Sequence, residues 1–230
     1  MKVYLCVILF VIVVLLILFR KKIVECSADG VFYVHTQLNR VLKYAYRDDK
    51  DNTSGYWTDE QRKTHITNDD LVNYLIKYYK EHGVSDVLDL GCGNCTIVSE
   101  LNKNDIDATG VDQNNLIPNS VKHDLTKSYY NPKDYVQTFE VGEHIPKEYE
   151  SIFIDNITTN AKKGIIMSWA VEGQGGDGHI NERPVSYIQE AIEKKGFQLN
   201  EEKTKELRNS INPHVDFLYF RHNLMVFDRI

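Results

Sequence analysis

Apolar residues form one long run near the amino terminus and several short runs farther along the chain. From residue 83 onward, the short runs alternate with segments whose apolar positions recur every three or four residues. That alternation predicts strand-helix-strand units, and therefore an α/β fold with a mostly parallel, doubly wound sheet in a three-layer α/β/α arrangement. The predicted strands are Asp86–Leu90, Ala108–Asp112, Tyr135–Glu140, Gly164–Ala170 and Leu224–Phe227.

A helix is predicted just before the first strand, over Asp69–His82. Asn68 and the following acidic residues are typical of a helix start, and Gly83 is typical of a helix end. Its apolar face carries leucine and tyrosine at helical spacing. A second amphipathic helix is predicted upstream, around Phe32–Tyr46.

The amino-terminal apolar run, Val3–Phe19, is followed directly by Arg20, Lys21 and Lys22. As a helix it would reach roughly 26 Å, near the lower limit for crossing a membrane. We expect a single-pass membrane anchor, and the basic residues after the run favour a cytosolic carboxy-terminal domain. A signal peptide cleaved near Cys26 is the alternative.

The chain is therefore divided into an anchor (1–22), a polar and aromatic extension (23–66) and one α/β domain (67–230). The formal net charge of −6 gives no broad basic surface, so a nucleic-acid partner is not expected. The four cysteines do not form a disulfide framework. Cys92 and Cys95 have Cys-x-x-Cys spacing but lack a second pair, so no metal site is predicted.

The most informative motif is Asp89-Leu90-Gly91-Cys92-Gly93, which joins a buried strand to a helical segment. Gly91 permits a tight turn, and Gly93 lets the backbone approach a ligand without an intervening side chain. Asp112 ends the next predicted strand about twenty residues later, where a carboxylate can accept hydrogen bonds from a ribose. This combination indicates a nucleoside-containing ligand.

The motif resembles the first motif of the class I S-adenosylmethionine-dependent methyltransferases, and the likeness runs from about Tyr56 to the carboxy terminus. The resemblance implies a Rossmann-like fold with S-adenosyl-L-methionine as cofactor. Matched motif by motif, it implies that one group of residues binds the methionine moiety, that an acid binds the ribose and that another acid lies near the adenine. Asp89, Gly91 and Gly93 are implied for the methionine moiety, Asp112 for the ribose and Asp124 for the adenine. Cys92, between the two glycines, is also expected among the cofactor-binding residues.

The family motif has a third glycine where this chain has Cys95. Nicotinamide-binding turns need that glycine more strictly, which disfavours a nicotinamide-dependent reductase as an alternative. A catalytically inactive, membrane-bound scaffold that still binds the cofactor is the other alternative. Tyr56 and Trp57 precede the domain and are predicted to form a lid over the cofactor.

Polar residues follow two later strands and predict the acceptor side of the site. Glu140, Glu143 and His144 follow one strand, and His179 lies in a glycine-rich segment after the next. A neutral imidazole can take a proton from a nucleophile, so His144 and His179 are candidate bases, with Glu140 and Glu143 as orienting or amine-binding groups. Alternatively, Glu143 caps the helix beginning near Pro146, and Trp169 either stacks on a substrate or packs on the sheet.

These two segments also look like those of methyltransferase-like proteins of large DNA viruses and diverse eukaryotes. That likeness does not identify the methyl acceptor. A small molecule, a lipid-associated group and a protein near the membrane all stay open as acceptors.

Overall fold

The computed structural model describes residues 67–113, 120–176, 178–212 and 218–230. The predicted anchor, the helix around Phe32–Tyr46 and the predicted lid at Tyr56 and Trp57 lie outside these residues. Within the described part of the chain, no helix combines the length and apolar character that a membrane span needs.

Seven strands form one sheet: β1 (Asp86–Leu90), β2 (Asp107–Asp112), β3 (Ser120–Lys122), β4 (Lys133–Thr138), β5 (Ala161–Met167), β6 (Phe197–Leu199) and β7 (Met225–Arg229). Their order is β3-β2-β1-β4-β5-β7-β6. The first five pair in parallel, whereas β7 runs antiparallel between β5 and β6. The predicted mostly parallel α/β sheet is confirmed.

The helices are α1 (Asp69–Glu81), α2 (Thr96–Lys103), α3 (Glu150–Asn160), α4 (Val185–Glu193), α5 (Glu201–Ser210) and α6 (Leu218–Asn223). Helices α1, α2 and α5 cover one sheet face, and α3 and α4 cover the other. Alternate strand residues serve the two layers: Val87 joins the core under α1, whereas Leu88 and Leu90 join the core under α3. This alternation produces the predicted three layers.

The helix predicted at Asp69–His82 is confirmed to within one residue. The Asn68 side chain accepts a hydrogen bond from the backbone N–H of Leu71 at 2.9 Å. Gly83 follows the helix with φ of +59°, a left-handed conformation that glycine adopts without steric cost.

Four of the five predicted strands differ from the observed strands by one to three residues at one or both ends, and two short strands, β3 and β6, were not predicted. The strand predicted at Tyr135–Glu140 ends at Thr138 because Glu140 takes a left-handed backbone conformation, with φ of +53°. The strand predicted at Gly164–Ala170 spans Ala161–Met167 instead. Ala161 pairs with Lys133 of β4, whereas Lys162 and Lys163 are exposed and lie at a register shift, so no apolar pattern marks this start.

Candidate active site

The glycine turn leaves β1 at the point where the sheet order reverses. β1 lies between β2 and β4, and the helices that follow β1 and β4 lie on opposite sheet faces. A crevice therefore opens at the carboxyl ends of β1 and β4, the usual ligand position in doubly wound sheets. The turn and the loop after β4 form its two walls.

No side chain fits at the first glycine of the turn. Gly91 has φ of +84°, and a Cβ atom added to it would lie 2.4 Å from a Cγ of Val141 in the loop after β4. The backbone N–H groups of Gly91 and Cys92 both donate to the carbonyl of Val111, at 2.7 and 3.2 Å. The turn is therefore bare, fixed against β2 and closely approached by the opposite wall.

The acid at the end of β2 reaches this turn, as its position in the sequence predicts. The backbone N–H of Gly93 donates to Asp112 Oδ2 at 3.0 Å. Parallel pairing of Leu90 with Val111 brings the two strand ends level, so that the acid and the turn meet. One carboxylate and a bare backbone thus lie side by side in the crevice.

Asp89 is buried beneath the same turn, with 3% of its surface exposed. Its Oδ2 accepts a hydrogen bond from Gln137 Nε2 at 2.9 Å, and Gln137 Oε1 accepts one from the hydroxyl of Tyr79 at 3.0 Å. Burial raises the pKa of Asp89 to about 7; the bond from Gln137 opposes this rise and the charge of Asp112 adds to it. A positive charge placed nearby would therefore favour the ionised form of Asp89.

The two cysteines of the turn point toward β2. A Cβ atom at Gly110 would lie 2.6 Å from Cys92 Sγ and 3.2 Å from Cys95 Sγ. Cys95 is fully buried and takes the left-handed conformation, with φ of +55°, that a third glycine would adopt easily. The hydrogen bond with Cys95, together with burial, raises the pKa of the Cys92 thiol. Cys92 contributes its backbone to the turn, whereas its thiol packs beneath it.

Asp124 lies after β3, but its carboxylate accepts hydrogen bonds from its own turn. Its Oδ1 accepts hydrogen bonds from the backbone N–H and the hydroxyl of Thr126, at 3.0 and 2.6 Å. Burial works to raise the pKa of Asp124, yet the bonds from Thr126 and the charge of Lys127 lower it overall. Among the described residues Asp124 contacts Thr126 and Lys127 but not the glycine turn, so its predicted place near the adenine stays a prediction.

On the other side of the crevice, two segments are held together by backbone hydrogen bonds. The N–H groups of Ile180 and Asn181 both donate to the carbonyl of Glu143, each at 2.9 Å. Trp169 supports this junction: its ring fills the space beside Gly142, and its Nε1 donates to the carbonyl of Asn181 at 2.8 Å. Trp169 is 1% exposed and therefore packs in the core instead of stacking on a ligand.

Glu143 is fully buried in a 3₁₀ turn, Gly142–His144. Its Oε2 accepts a hydrogen bond from the backbone N–H of Ala170 at 3.3 Å. Its Oε1 has no hydrogen-bond partner among the described residues and lies 3.9 Å from Nε2 of His179. The alternative that Glu143 caps the following helix was wrong, because neither the 3₁₀ turn Lys147–Tyr149 nor α3 has a side-chain cap and Glu143 accepts its bond from Ala170. Burial, reinforced by the charge of Glu140, raises the pKa of Glu143 well above its usual range.

The two histidines are neighbours, with ring centroids 5.0 Å apart. Nδ1 of His144 lies 3.1 Å from the carbonyl of Gly178, and Nδ1 of His179 lies 3.2 Å from Glu182 Oε1. A carbonyl only accepts hydrogen bonds, so His144 carries its proton on Nδ1 and its lone pair on Nε2. Burial, with the neighbouring His179, lowers the pKa of His144 to about 4. His144 is thus neutral and a weak base at pH 7.

Glu140 lies directly after β4, next to these groups. Its left-handed backbone is held by a hydrogen bond from its N–H to Ser168 Oγ at 2.9 Å, and its Oε2 accepts a bond from Gln174 Nε2 at 2.5 Å. Its Oε1 is buried without a hydrogen-bond partner among the described residues. Burial raises the pKa of Glu140, although the bonds from Ser168 and Gln174 oppose the rise. A strained backbone that aims a buried carboxylate is typical of a functional site.

Sequence reasoning placed His144 and His179 in the same crevice but missed how closely they meet Glu143. One ligating atom from each of the three residues lies within 4.8 Å of the other two. The sequence separation between Glu143 and His179 concealed this grouping, which depends on the glycine-rich loop folding back. The only sequence signal was the presence of carboxylates and imidazoles after two adjacent strands.

No family model matches the sequence, and no curated protein matches it in sequence. Solved structures share its fold. A magnesium protoporphyrin IX methyltransferase from Synechocystis, with bound S-adenosylmethionine, aligns with a TM-score of 0.51 and 16% identity over 90% of this chain and 99% of that chain. An S-adenosylmethionine-dependent methyltransferase from Clostridium acetobutylicum aligns with a TM-score of 0.52 and 10% identity, over 75% of this chain and 95% of that chain.

A sugar N-methyltransferase from Streptoalloteichus aligns with a TM-score of 0.54 and 12% identity, over 74% of this chain and 90% of that chain. At such identities the similarity establishes the fold alone. The predicted Rossmann-like methyltransferase fold is therefore confirmed. None of these similarities tests the likeness to proteins of large DNA viruses.

Proposed function

We propose that this protein is an S-adenosylmethionine-dependent methyltransferase whose cofactor lies in the crevice between the glycine turn and the loop after β4. The observation that carries the proposal is the contact between the backbone of Gly93 and the carboxylate of Asp112, beside the bare position at Gly91. A carboxylate there suits a ribose, and a backbone without a side chain suits close approach by a nucleoside.

The sheet order supports this proposal over the nicotinamide-dependent alternative. Dinucleotide-binding sheets follow the order 3-2-1-4-5-6, with all strands parallel. Here the antiparallel β7 separates β5 from β6, as the order β3-β2-β1-β4-β5-β7-β6 records. The three methyltransferase structures described above favour the same choice.

When bound, S-adenosylmethionine supplies an electrophilic methyl group attached to a positively charged sulfur. The chain contributes orientation and charge. Asp112 and the turn hold the nucleoside, while Asp89, buried beneath the turn, favours a ligand that brings positive charge. Glu140, Glu143, His144 and His179 form the opposite wall and bind the acceptor, whose identity stays open among a small molecule, a lipid-associated group and a protein.

A pH effect on cofactor affinity follows from the environment of Asp89. Its pKa is about 7 in the ligand-free protein, and a cationic ligand favours the ionised carboxylate. We therefore expect full affinity above pH 7 and a loss approaching tenfold per pH unit below it, with proton release on binding. Calorimetric titration with S-adenosylmethionine from pH 5.5 to 8.5, in buffers of different ionisation enthalpy, measures both quantities.

The variant Asp89→Asn keeps an acceptor for Gln137 but cannot titrate. It is expected to bind more weakly at pH 8 and to lose the pH dependence. A wild-type affinity that is constant across this range, or a variant with an unchanged pH profile, would contradict the role given to Asp89.

A further inference from the structure

We propose that Glu143, His144 and His179 form a binding site for a divalent transition-metal ion, with Glu140 at its edge, and that this ion would hold a hydroxyl-bearing methyl acceptor. The role toward the acceptor depends on the proposed function, whereas the ion-binding site does not. Three buried or nearly buried groups with ligating atoms within 4.8 Å of one another carry the proposal.

Glu143 has a buried oxygen that an ion would satisfy. Its side chain is fully buried, yet Oε1 has no hydrogen-bond partner among the described residues and faces His179 Nε2 at 3.9 Å. A buried carboxylate oxygen without a partner costs stability, so such an atom usually has a function or a missing ligand. A distance of 3.9 Å is too long for a hydrogen bond, but it suits two ligands of one ion, each at about 2.1 Å from it.

The two histidines are oriented as metal ligands usually are. Each uses Nδ1 toward an outer oxygen: the carbonyl of Gly178 for His144 and the carboxylate of Glu182 for His179. Metal-binding histidines typically donate one ring N–H to a carbonyl or carboxylate in this way, and His179 accordingly turns its other nitrogen, Nε2, toward Glu143. Glu182 is itself fixed by the N–H groups of Gly173 and Gly175, at 2.8 and 2.9 Å. An outer shell is thus present around the proposed ligands.

The cluster also carries buried negative charge that no nearby cation balances among the described residues. Glu140 has a second buried carboxylate oxygen without a hydrogen-bond partner, adjacent to the same cluster. The nearby Arg183 does not compensate these groups, because its Nε donates to Glu150 at 2.7 Å. An ion of charge +2 would satisfy both carboxylates. The imidazole ring of His179 fits only because residue 176 is glycine, since a Cβ at Gly176 would lie 2.3 Å from His179 Nε2.

The ligand set indicates the kind of ion. Two imidazoles with carboxylate oxygen favour Mn²⁺, Fe²⁺, Co²⁺ or Zn²⁺ over Mg²⁺ and Ca²⁺, which prefer oxygen ligands alone. With three protein ligands, the ion keeps open positions for an acceptor oxygen and lowers the pKa of its hydroxyl. In transfer, the O–H bond breaks and its proton passes to solvent. The oxygen then bonds to the methyl carbon while the carbon–sulfur bond breaks and sulfur keeps the electron pair.

Co²⁺ is a suitable probe because its visible absorption reports nitrogen and oxygen coordination. We would titrate the full chain with Co²⁺ in the absence of S-adenosylmethionine. Wild type is expected to show one saturable site with imidazole-ligated bands, not displaced by millimolar Mg²⁺. Glu143→Gln and His179→Ala are each expected to weaken that site by about 100-fold, and Glu182→Gln by about tenfold. His82→Ala, an exposed histidine, serves as the matched control and is expected to change nothing.

Absorption that is identical in wild type and Glu143→Gln would overturn the proposed site, as would a site that Glu182→Gln and His179→Ala both leave intact. Calorimetry with S-adenosylmethionine in the presence of EDTA tests the cofactor separately, so failure of one claim is distinguishable from failure of the other. For the acceptor, labelled methyl transfer into a lysate is expected to fall at least tenfold with EDTA and to return with Mn²⁺ or Co²⁺. Its product should resist mild alkali, as an ether does; labelling confined to amines would contradict the hydroxyl acceptor.

Discussion

Replacing Gly91 with valine is expected to abolish S-adenosylmethionine binding, weakening it by at least about 100-fold, or roughly 2.7 kcal/mol. Two causes act together. The backbone at Gly91 has φ of +84°, which a β-branched residue rarely adopts, and the new Cβ would meet Val141 at 2.4 Å. Relieving that contact moves either the turn or the loop after β4, and both form walls of the crevice. Calorimetric titration measures the loss.

Gly196→Val provides a matched control for backbone strain. Gly196 has φ of +88°, nearly the same conformation, but no atom lies within 4 Å of an added Cβ. It sits before β6, away from the carboxyl ends of β1 and β4. We expect this variant to lose stability and to keep its affinity. If both variants bind equally well, the bare turn is not where the cofactor lies.

The second large effect is expected for Glu143→Gln, which should lower methyl transfer by about 100-fold or more while leaving cofactor affinity within about twofold. The amide keeps the size of the side chain but removes the carboxylate charge that faces His179. Transfer of labelled methyl groups from S-adenosylmethionine into a lysate measures the activity, and calorimetry measures the affinity.

With metal ions removed by EDTA, the same variant is expected to be more stable than wild type at pH 8. The pKa of Glu143 is raised in the folded protein, so stability is complete at low pH and is lost as the pH rises through that folded-state value. Glutamine has no such loss, and a rise of several degrees in melting temperature at pH 8 should result. Glu148→Gln, an exposed acid in the same loop, should change neither quantity. Lower stability in EDTA together with lost activity would indicate that Glu143 has only a structural role.

The parts of the fold that depend on local pattern could be predicted from the sequence. The short apolar strand before Gly91 and the capped helix starting at Asp69 both have strong local signals, and both lie where predicted. The strand β3 is only three residues long with two exposed positions, so it has no apolar signal. The strand before Glu140 ends early because Glu140 has a backbone conformation that glutamate seldom adopts. No residue pattern in the sequence predicts that conformation.

The candidate site likewise has one part that the sequence predicts and one part that it does not. The contact between Gly93 and Asp112 follows from parallel pairing of two consecutive strands, so a spacing of about twenty residues was enough to predict it. The meeting of Glu143 with His179 depends on the backbone bonds from Ile180 and Asn181 across a glycine-rich loop. Such long-range geometry has no periodic signature. The direction of the Cys92 thiol, beneath the turn, likewise depends on the absence of a side chain at Gly110.

The central claim is that the turn after β1, together with Asp112, binds S-adenosylmethionine. Its most direct test is calorimetric titration of the purified full chain in mild detergent at pH 8 with S-adenosylmethionine, S-adenosylhomocysteine and NAD⁺. The account predicts one site per chain for the first two ligands, with a dissociation constant between roughly 1 μM and 1 mM, and no binding of NAD⁺. Binding of NAD⁺ alone, or no heat and no change in melting temperature with any of the three ligands, would contradict it.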